Sequence, residues 1–202
     1  MTSDSQLAQQ AGVSVPVLQA IRIVESGGAV DRVRFEPHVF NRLTDNRYAS
    51  QIPFTRDPQR GVSLRHSETN RDAFERAAEF DFANAVRSSS WGRYQVLGSH
   101  LLRLHPQDPV RAFDRAPATV SDQMLVSWFR SHPLAQAAAN SCNISEFGFW
   151  YNGSRTSPWT QRFTAAVEAQ GGCVPTRKWW SLTLGLTFVG VSAYLGIRLA
   201  KR

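Results

Sequence analysis

Glu25 is the residue whose type and position in this sequence best suit acid–base chemistry. Leu18, Ile21 and Glu25 recur at i, i+3 and i+7, so the carboxyl group shares a helical face with apolar neighbours. Burial raises the pKa of a carboxyl group, as a general acid requires near neutral pH. Gly27 and Gly28 follow, so we expect the helix to end where the Glu25 side chain reaches a cleft edge. The alternative is a helix-terminal Glu that turns to solvent.

Two further segments combine polar and aromatic side chains. Residues 90–95 read SWGRYQ, in which a glycine permits close backbone approach and a glutamine offers both a donor and an acceptor to sugar hydroxyl and N-acetyl groups. Residues 147–153 read FGFWYNG, and aromatic faces of this kind stack on pyranose rings. Such an aromatic run followed by Asn-Gly is also typical of a core helix and its C-cap.

Four segments in a fixed order carry a family resemblance. They are ESGG at 25–28, RFEPHVF at 34–40, SSWGRYQVLG at 89–98 and YNG at 151–153. Over about residues 13–170 the chain resembles the phage endolysin-type N-acetylmuramidases, which belong to the lysozyme-like superfamily with goose-type lysozymes and lytic transglycosylases. The resemblance implies a mainly α, two-lobed helical domain in residues 1–175, with at most a small β-hairpin.

The resemblance also implies roles for individual residues. Glu25 would protonate the glycosidic oxygen of the β-1,4 bond between N-acetylmuramic acid and N-acetylglucosamine in peptidoglycan. Glu36 is the candidate second carboxylate, whose distance from the first would decide inversion or retention; the alternative is a structural Glu36 that bonds His38 or a backbone turn. The implied substrate-binding residues are Ser90, Tyr94, Gln95, Tyr151 and Asn152. The chain departs from the family pattern at 154–159 (SRTSPW), which puts cleft contacts there in question.

Other activities compete with hydrolysis. A lytic transglycosylase would use the same acid and release 1,6-anhydro products. A glycan-binding module without turnover would keep the cleft, although the intact Glu25 argues against it. Residues 6–21 (QLAQQAGVSVPVLQAI) also fit a helix-turn-helix of a membrane-anchored DNA-binding protein. Its second helix offers no Arg or Lys before Arg22 to contact phosphates, which disfavours nucleic acid as a partner.

The charge distribution also disfavours nucleic acid as a partner. The 202 residues carry a net charge of +7, but five of the 23 basic residues lie in the last 26 positions, where there is no acid. The remainder is therefore only weakly basic, and binding of polyanions loses its main support. Cys142 and Cys173 are able to bridge or to stay free. Neither stands near a His at metal-ligand spacing, so we expect no metal site and no cofactor.

The elements that must position these residues are mostly helices. Besides the helix from Ser14 to Glu25, apolar spacing and Pro or Gly breaks predict helices at about 71–87, 121–130, 134–140, 144–151 and 159–169. Phe74, Ala78 and Phe82 are expected on one face of the first of these. Residues 44–70 lack a periodic apolar face and are predicted to form a polar surface insertion.

A membrane segment is predicted at the C-terminus. Residues 179–197 contain no charge and span roughly 28 Å as a helix, close to the ~30 Å hydrocarbon thickness. We therefore expect residues 176–202 to form a membrane anchor with a transmembrane helix at about 179–199; the alternative is a buried core helix. Residues 1–12 do not resemble a cleavable signal peptide. The expectation is a single-pass protein of a virion membrane or bacterial inner membrane, with the lipid bilayer and virion or envelope-complex proteins as partners.

Overall fold

The computed structural model describes residues 2–57, 61–63 and 69–173. The helices in these ranges are α1 Asp4–Ala11, α2 Val15–Ser26, α3 Pro37–Leu43, α4 Asn70–Arg87, α5 Gly98–Leu104, α6 Pro109–Arg115, α7 Pro117–Ser131, α8 Pro133–Asn140, α9 Ile144–Asn152 and α10 Pro158–Ala169. The strands are β1 Val33–Phe35, β2 Thr55–Asp57, β3 Gly61–Ser63, β4 Ser89–Trp91 and β5 Val96–Leu97. The prediction of a mainly α fold is confirmed.

Helix α2, which carries Glu25, lies in the core. Leu18 and Ile21 have no exposed surface, and the helix packs against α1 and α10. Arg22 forms an ion pair with Asp4 of α1 at 3.0 Å. A recognition helix must present its side chains to a DNA groove. A helix buried in this way, with its first basic residue already paired, argues against the DNA-binding alternative.

Strands β1, β4 and β5 form an antiparallel sheet in that order. Arg34, Ser90 and Leu97 are register partners and therefore share one face, on which Arg34 and Leu97 are exposed. Phe35 and Trp91 lie on the opposite face and are buried in the core. The expectation of at most a small hairpin is thus corrected, because strands of two or three residues are too short to show a period-2 pattern.

The predicted polar insertion at 44–70 also contains regular structure. Strands β2 and β3 pair antiparallel within it, with Arg56 opposite Val62. The other predicted helices are confirmed to within a few residues, as parts of α7, α8, α9 and α10. Helix α7 begins earlier than expected, with Pro117 at its first position, where the missing amide hydrogen costs no bond.

Helix α4 follows the predicted range but breaks at Asp81, whose backbone leaves the helical region. The Asp81 carboxylate accepts a hydrogen bond from the backbone N–H of Asn84 at 3.0 Å, so it caps the helical turns that follow. The break changes the direction of the next side chains. Phe82 is 45% exposed while Phe74 is buried, so the predicted shared face is wrong at Phe82.

A disulfide joins Cys142 to Cys173. It connects the residue pair that follows α8 to the segment that follows α10. The choice between bridged and free cysteines, left open by the sequence, is decided in favour of the bridge. The bond ties the segment after α10 to the connection between α8 and α9, and α10 packs on α9.

The predicted membrane localisation is corrected. In the part of the chain that the structure describes, no helix is both long enough and apolar enough to cross a bilayer. The predicted span at about 179–199 lies outside the described residues. The described residues therefore do not support the single-pass membrane protein expected from the sequence.

Candidate active site

Glu25 occupies the last turn of α2, one residue before the helix ends at Ser26. Gly27 closes the helix in the left-handed conformation, with φ of 64°, and its backbone N–H bonds back to the helix carbonyls. A side chain at this position would be strained, because only glycine adopts that conformation at little cost. The turn therefore ends α2 one residue after Glu25, which is itself partly buried.

Trp159 of α10 holds one oxygen of Glu25. Its indole Nε1 donates a hydrogen bond to Glu25 Oε1 at 2.7 Å. The indole is 6% exposed and lies stacked against Phe163, at a centroid distance of 5.0 Å, and against Tyr151, at 5.5 Å. Because these rings restrict the indole, the position of Oε1 is set by the packing of α10 against α2.

Burial raises the pKa of Glu25 from 4.5 to about 7. The hydrogen bond from Trp159 and the positive charges of Arg34, Arg162 and Arg32 act in the opposite direction, because they favour the carboxylate. The desolvation of the carboxyl group outweighs them. At neutral pH a substantial fraction of Glu25 is therefore protonated, as general acid catalysis requires.

Two side chains hold the backbone of the turn after β4. Ser26 Oγ donates to the carbonyl oxygen of Arg93 at 2.9 Å, and Tyr151 Oη donates to that of Tyr94 at 2.6 Å. Burial raises the pKa of Tyr151 well above its usual value, and the nearby Glu25 adds to this effect, so its hydroxyl remains a donor. The residue after Glu25, the end of α9 and the turn are thus joined in one network.

The structure separates the implied substrate-binding residues by exposure. Ser90 lies on the solvent-facing side of the sheet and Asn152 is exposed, with its Nδ2 bonded to Ser157 Oγ at 3.1 Å. Tyr94, by contrast, has no exposed surface. The expectation that its side chain lines the cleft is corrected, because its ring packs in the core.

Gln95 has a structural function in the same turn. Its backbone adopts a positive φ of 48°, and its Nε2 donates to the carbonyl oxygens of Gly92 at 2.9 Å and Arg32 at 3.2 Å. Both amide hydrogens are used in this way, so the side chain holds the turn against the segment that enters β1. The family resemblance implied instead that the Gln95 side chain binds the glycan directly.

Glu36 lies at the start of α3 and faces Arg34. Arg34 Nε lies 2.8 Å from Glu36 Oε1, and His38 Nδ1 lies 3.6 Å from the other carboxylate oxygen. The Glu36 side chain is 15% exposed. Since Arg34 also acts electrostatically on Glu25, this arginine is common to both carboxyl groups.

Trp159 and Arg162 were missed by sequence reasoning. Trp159 is the last residue of the 154–159 stretch that departs from the family pattern and Arg162 follows that stretch, so no motif marks them. A signal was nevertheless present, because Pro158 suits a helix start and Trp159 and Phe163 stand at i and i+4, which predicts one buried face. That Trp159 points at Glu25 depends on the packing of two helices 134 residues apart in the chain.

The described residues, which leave out 1, 58–60, 64–68 and 174–202, contain no group of three or more His, Cys, Asp or Glu side chains placed to hold a metal ion.

Comparisons with known proteins agree with this geometry. The structure is similar to the crystal structure of the Burkholderia AP3 phage endolysin, with a TM-score of 0.60 and 20% identity over 83% of this chain and 68% of that chain. At this identity the likeness concerns the fold. No curated protein sequence matches the chain. The family model for N-acetylmuramidase matches residues 14–166. Since this match covers well over half of the 202 residues, the chain belongs to the N-acetylmuramidase family and is a glycoside hydrolase that degrades peptidoglycan.

Proposed function

We propose that this enzyme cleaves the β-1,4 bond between N-acetylmuramic acid and N-acetylglucosamine, with Glu25 as the general acid. The observation that carries the proposal is the state of Glu25. Its carboxyl group lies at a helix end, burial raises its pKa to about 7, and Trp159 occupies only one of its two oxygens. Within the described ranges the other oxygen has no hydrogen-bond partner, so it can protonate a leaving group. The likeness to a phage endolysin supports a setting in wall degradation during phage infection or lysis.

Trp159 determines which oxygen carries the proton. An indole N–H is a donor only, so Glu25 Oε1 must accept and the acidic proton lies on Oε2. When Oε2 gives this proton to the glycosidic oxygen, a carboxylate forms. The Trp159 N–H and the neighbouring arginines stabilise that negative charge as it develops, because they are in place before the bond breaks.

Glu36 is proposed to position Arg34 rather than to react. Glycosidases with two carboxylates use the second one as a base or as a nucleophile, which requires a free oxygen facing the sugar. One oxygen of Glu36 is engaged by Arg34 at 2.8 Å, and the other faces His38. Glu36 therefore holds a guanidinium group whose charge acts on Glu25.

The remaining site residues divide into two groups. Ser90 and Asn152, which are accessible, are proposed to contact the glycan. Gln95 and Tyr151 are proposed to act through the backbone of the turn at residues 92–95, because the Gln95 Nε2 and the Tyr151 hydroxyl already donate hydrogen bonds to it.

Digestion of purified peptidoglycan tests this proposal. The full chain is compared with Glu25→Gln and with the matched control Glu168→Gln, which changes an exposed glutamate on α10. Released fragments are reduced with borohydride and analysed by mass spectrometry. We expect reduced muramic acid ends from the wild type and the control and a loss of at least about 100-fold for Glu25→Gln. Undiminished activity of Glu25→Gln would refute the role of Glu25, and 1,6-anhydro ends would identify a lytic transglycosylase.

A further inference from the structure

Three arginines from different parts of the chain surround Glu25. Arg32, in the segment before β1, has Nη1 3.4 Å from the backbone carbonyl of Glu25. Arg34 stands on the solvent-facing side of the sheet, opposite Ser90. Arg162 lies one helical turn after the Trp159 that bonds Glu25, and therefore on the same side of α10. All three side chains are exposed.

Acids at the site balance only part of this positive charge. Glu36 pairs with Arg34, and the exposed Asp31 is the neighbour of Arg32 in the chain. Arg162 has no ion pair or hydrogen bond within the part of the chain that the structure describes. The charges oppose the protonation of Glu25, so they do not help it to hold a proton before the reaction. Because all three side chains are exposed, they can instead pair with an anionic group of the substrate.

We infer that Arg32, Arg34 and Arg162 form a carboxylate-binding subsite that selects the anionic muramyl unit of the glycan over neutral N-acetylglucosamine. This inference rests on the proposed function, because it places a muramyl unit next to Glu25. N-acetylmuramic acid differs from N-acetylglucosamine by a 3-O-lactyl group. Its carboxylate is free in peptide-free strands, whereas in peptide-bearing strands it is an amide and the stem peptide supplies the carboxylates.

Arginine suits this task because its planar guanidinium matches a carboxylate with two parallel hydrogen bonds. Binding also has a consequence for catalysis. The charged groups that act on Glu25 in the described structure are these three arginines, and Tyr151 is its titratable neighbour. A bound carboxylate offsets the arginine charges, so it raises the pKa of Glu25 and favours the protonated acid in the complex.

Binding measurements test the subsite directly. The full-chain Glu25→Gln variant is titrated with peptide-free glycan strands, with the same strands after methyl esterification, and with neutral N-acetylglucosamine oligomers. We expect the free-acid strands to bind about tenfold more tightly than either neutral ligand, as charge-assisted hydrogen bonds would give. Peptide-bearing strands form a further arm. If they bind as tightly as the peptide-free acid strands, and if amidation of the peptide carboxylates weakens that binding, the stem peptide is a second source of the anion.

Arg162→Gln in the same background is expected to weaken binding of the free-acid strands roughly fivefold and to leave the esters unchanged, as loss of one charge-assisted contact predicts. Arg115→Gln removes an equal charge from the exposed end of α6 and serves as the matched control. Arg162→Lys should recover part of the selectivity, since lysine keeps the positive charge but lacks the planar guanidinium that forms two parallel hydrogen bonds.

Two results would overturn the inference: equal binding of acid and ester strands, or an equal weakening of both by Arg162→Gln. The proposed function has a separate readout, because it fails when Glu25→Gln still cleaves peptidoglycan. If Glu25→Gln does not cleave peptidoglycan but binds acid and ester strands equally, only the subsite is rejected and the proposed function stands.

Discussion

Replacement of Trp159 by Phe removes the hydrogen bond to Glu25 while keeping an aromatic ring next to Phe163 and Tyr151. The bond is short, at 2.7 Å, and its donor is buried. Because the Trp159 N–H favours the carboxylate, its loss must raise the pKa of Glu25 above about 7.

Hydrogen bonds to charged groups contribute about 1.5–3 kcal/mol, and one pKa unit corresponds to about 1.4 kcal/mol, so the bond accounts for about 1–2 pKa units. Glu25 is only partly buried, and water replaces part of the lost bond. We therefore expect the lower end, a rise of about 1 unit. The variant should also have a lower maximal rate, since the carboxylate formed by proton transfer loses a stabilising donor.

The assay is the pH dependence of kcat/KM for release of soluble glycan fragments. The alkaline limb of this profile reports the pKa of the general acid in the free enzyme. It should move to higher pH by about 1 unit in Trp159→Phe. Trp128→Phe is the matched control, because Trp128 packs edge-on against Tyr151 without bonding Glu25. An alkaline limb that stays in place, moves to lower pH, or moves equally in the control would refute the assignment of Trp159.

Three further outcomes are expected. Glu36→Gln should reduce kcat/KM by less than about tenfold, because Glu36 acts through Arg34 and proton transfer by Glu25 is retained; a loss as large as that of Glu25→Gln would make Glu36 a reacting group. Replacing Cys142 and Cys173 by Ser should lower the free energy of unfolding by about 3–4 kcal/mol, as loss of a cross-link with a sequence separation of 31 predicts, and urea denaturation measures it. Burial and nearby positive charges lower the pKa of His100 from 6.5 to about 4, so stability should fall as pH decreases between these values, because the unfolded chain binds the proton more readily. Thermal unfolding of His100→Gln across this range should show a weaker pH dependence, and an unchanged one would contradict this origin.

Local patterns predicted the helices well where apolar spacing and terminating residues agree. Helix α2 runs close to its predicted range because Pro16 suits the first turn and Gly27 can adopt the left-handed conformation that ends it. The break at Asp81 was not predicted, since the apolar spacing continues across it. The short strands were missed because pairing partners far apart in the chain, such as Arg34 and Ser90, define them.

The sequence by itself determined the family, the helical class and the position of Glu25 at a helix end, because these depend on ordered motifs and on residues close together in the chain. Tertiary structure decided the protonation and the surroundings of that carboxyl group. Burial, the indole of Trp159 and the charge of Arg162 reach Glu25 only when α10 packs against α2. Desolvation and hydrogen bonding act over a few ångströms of space, so residues more than a hundred positions away in the chain set the acidity of Glu25.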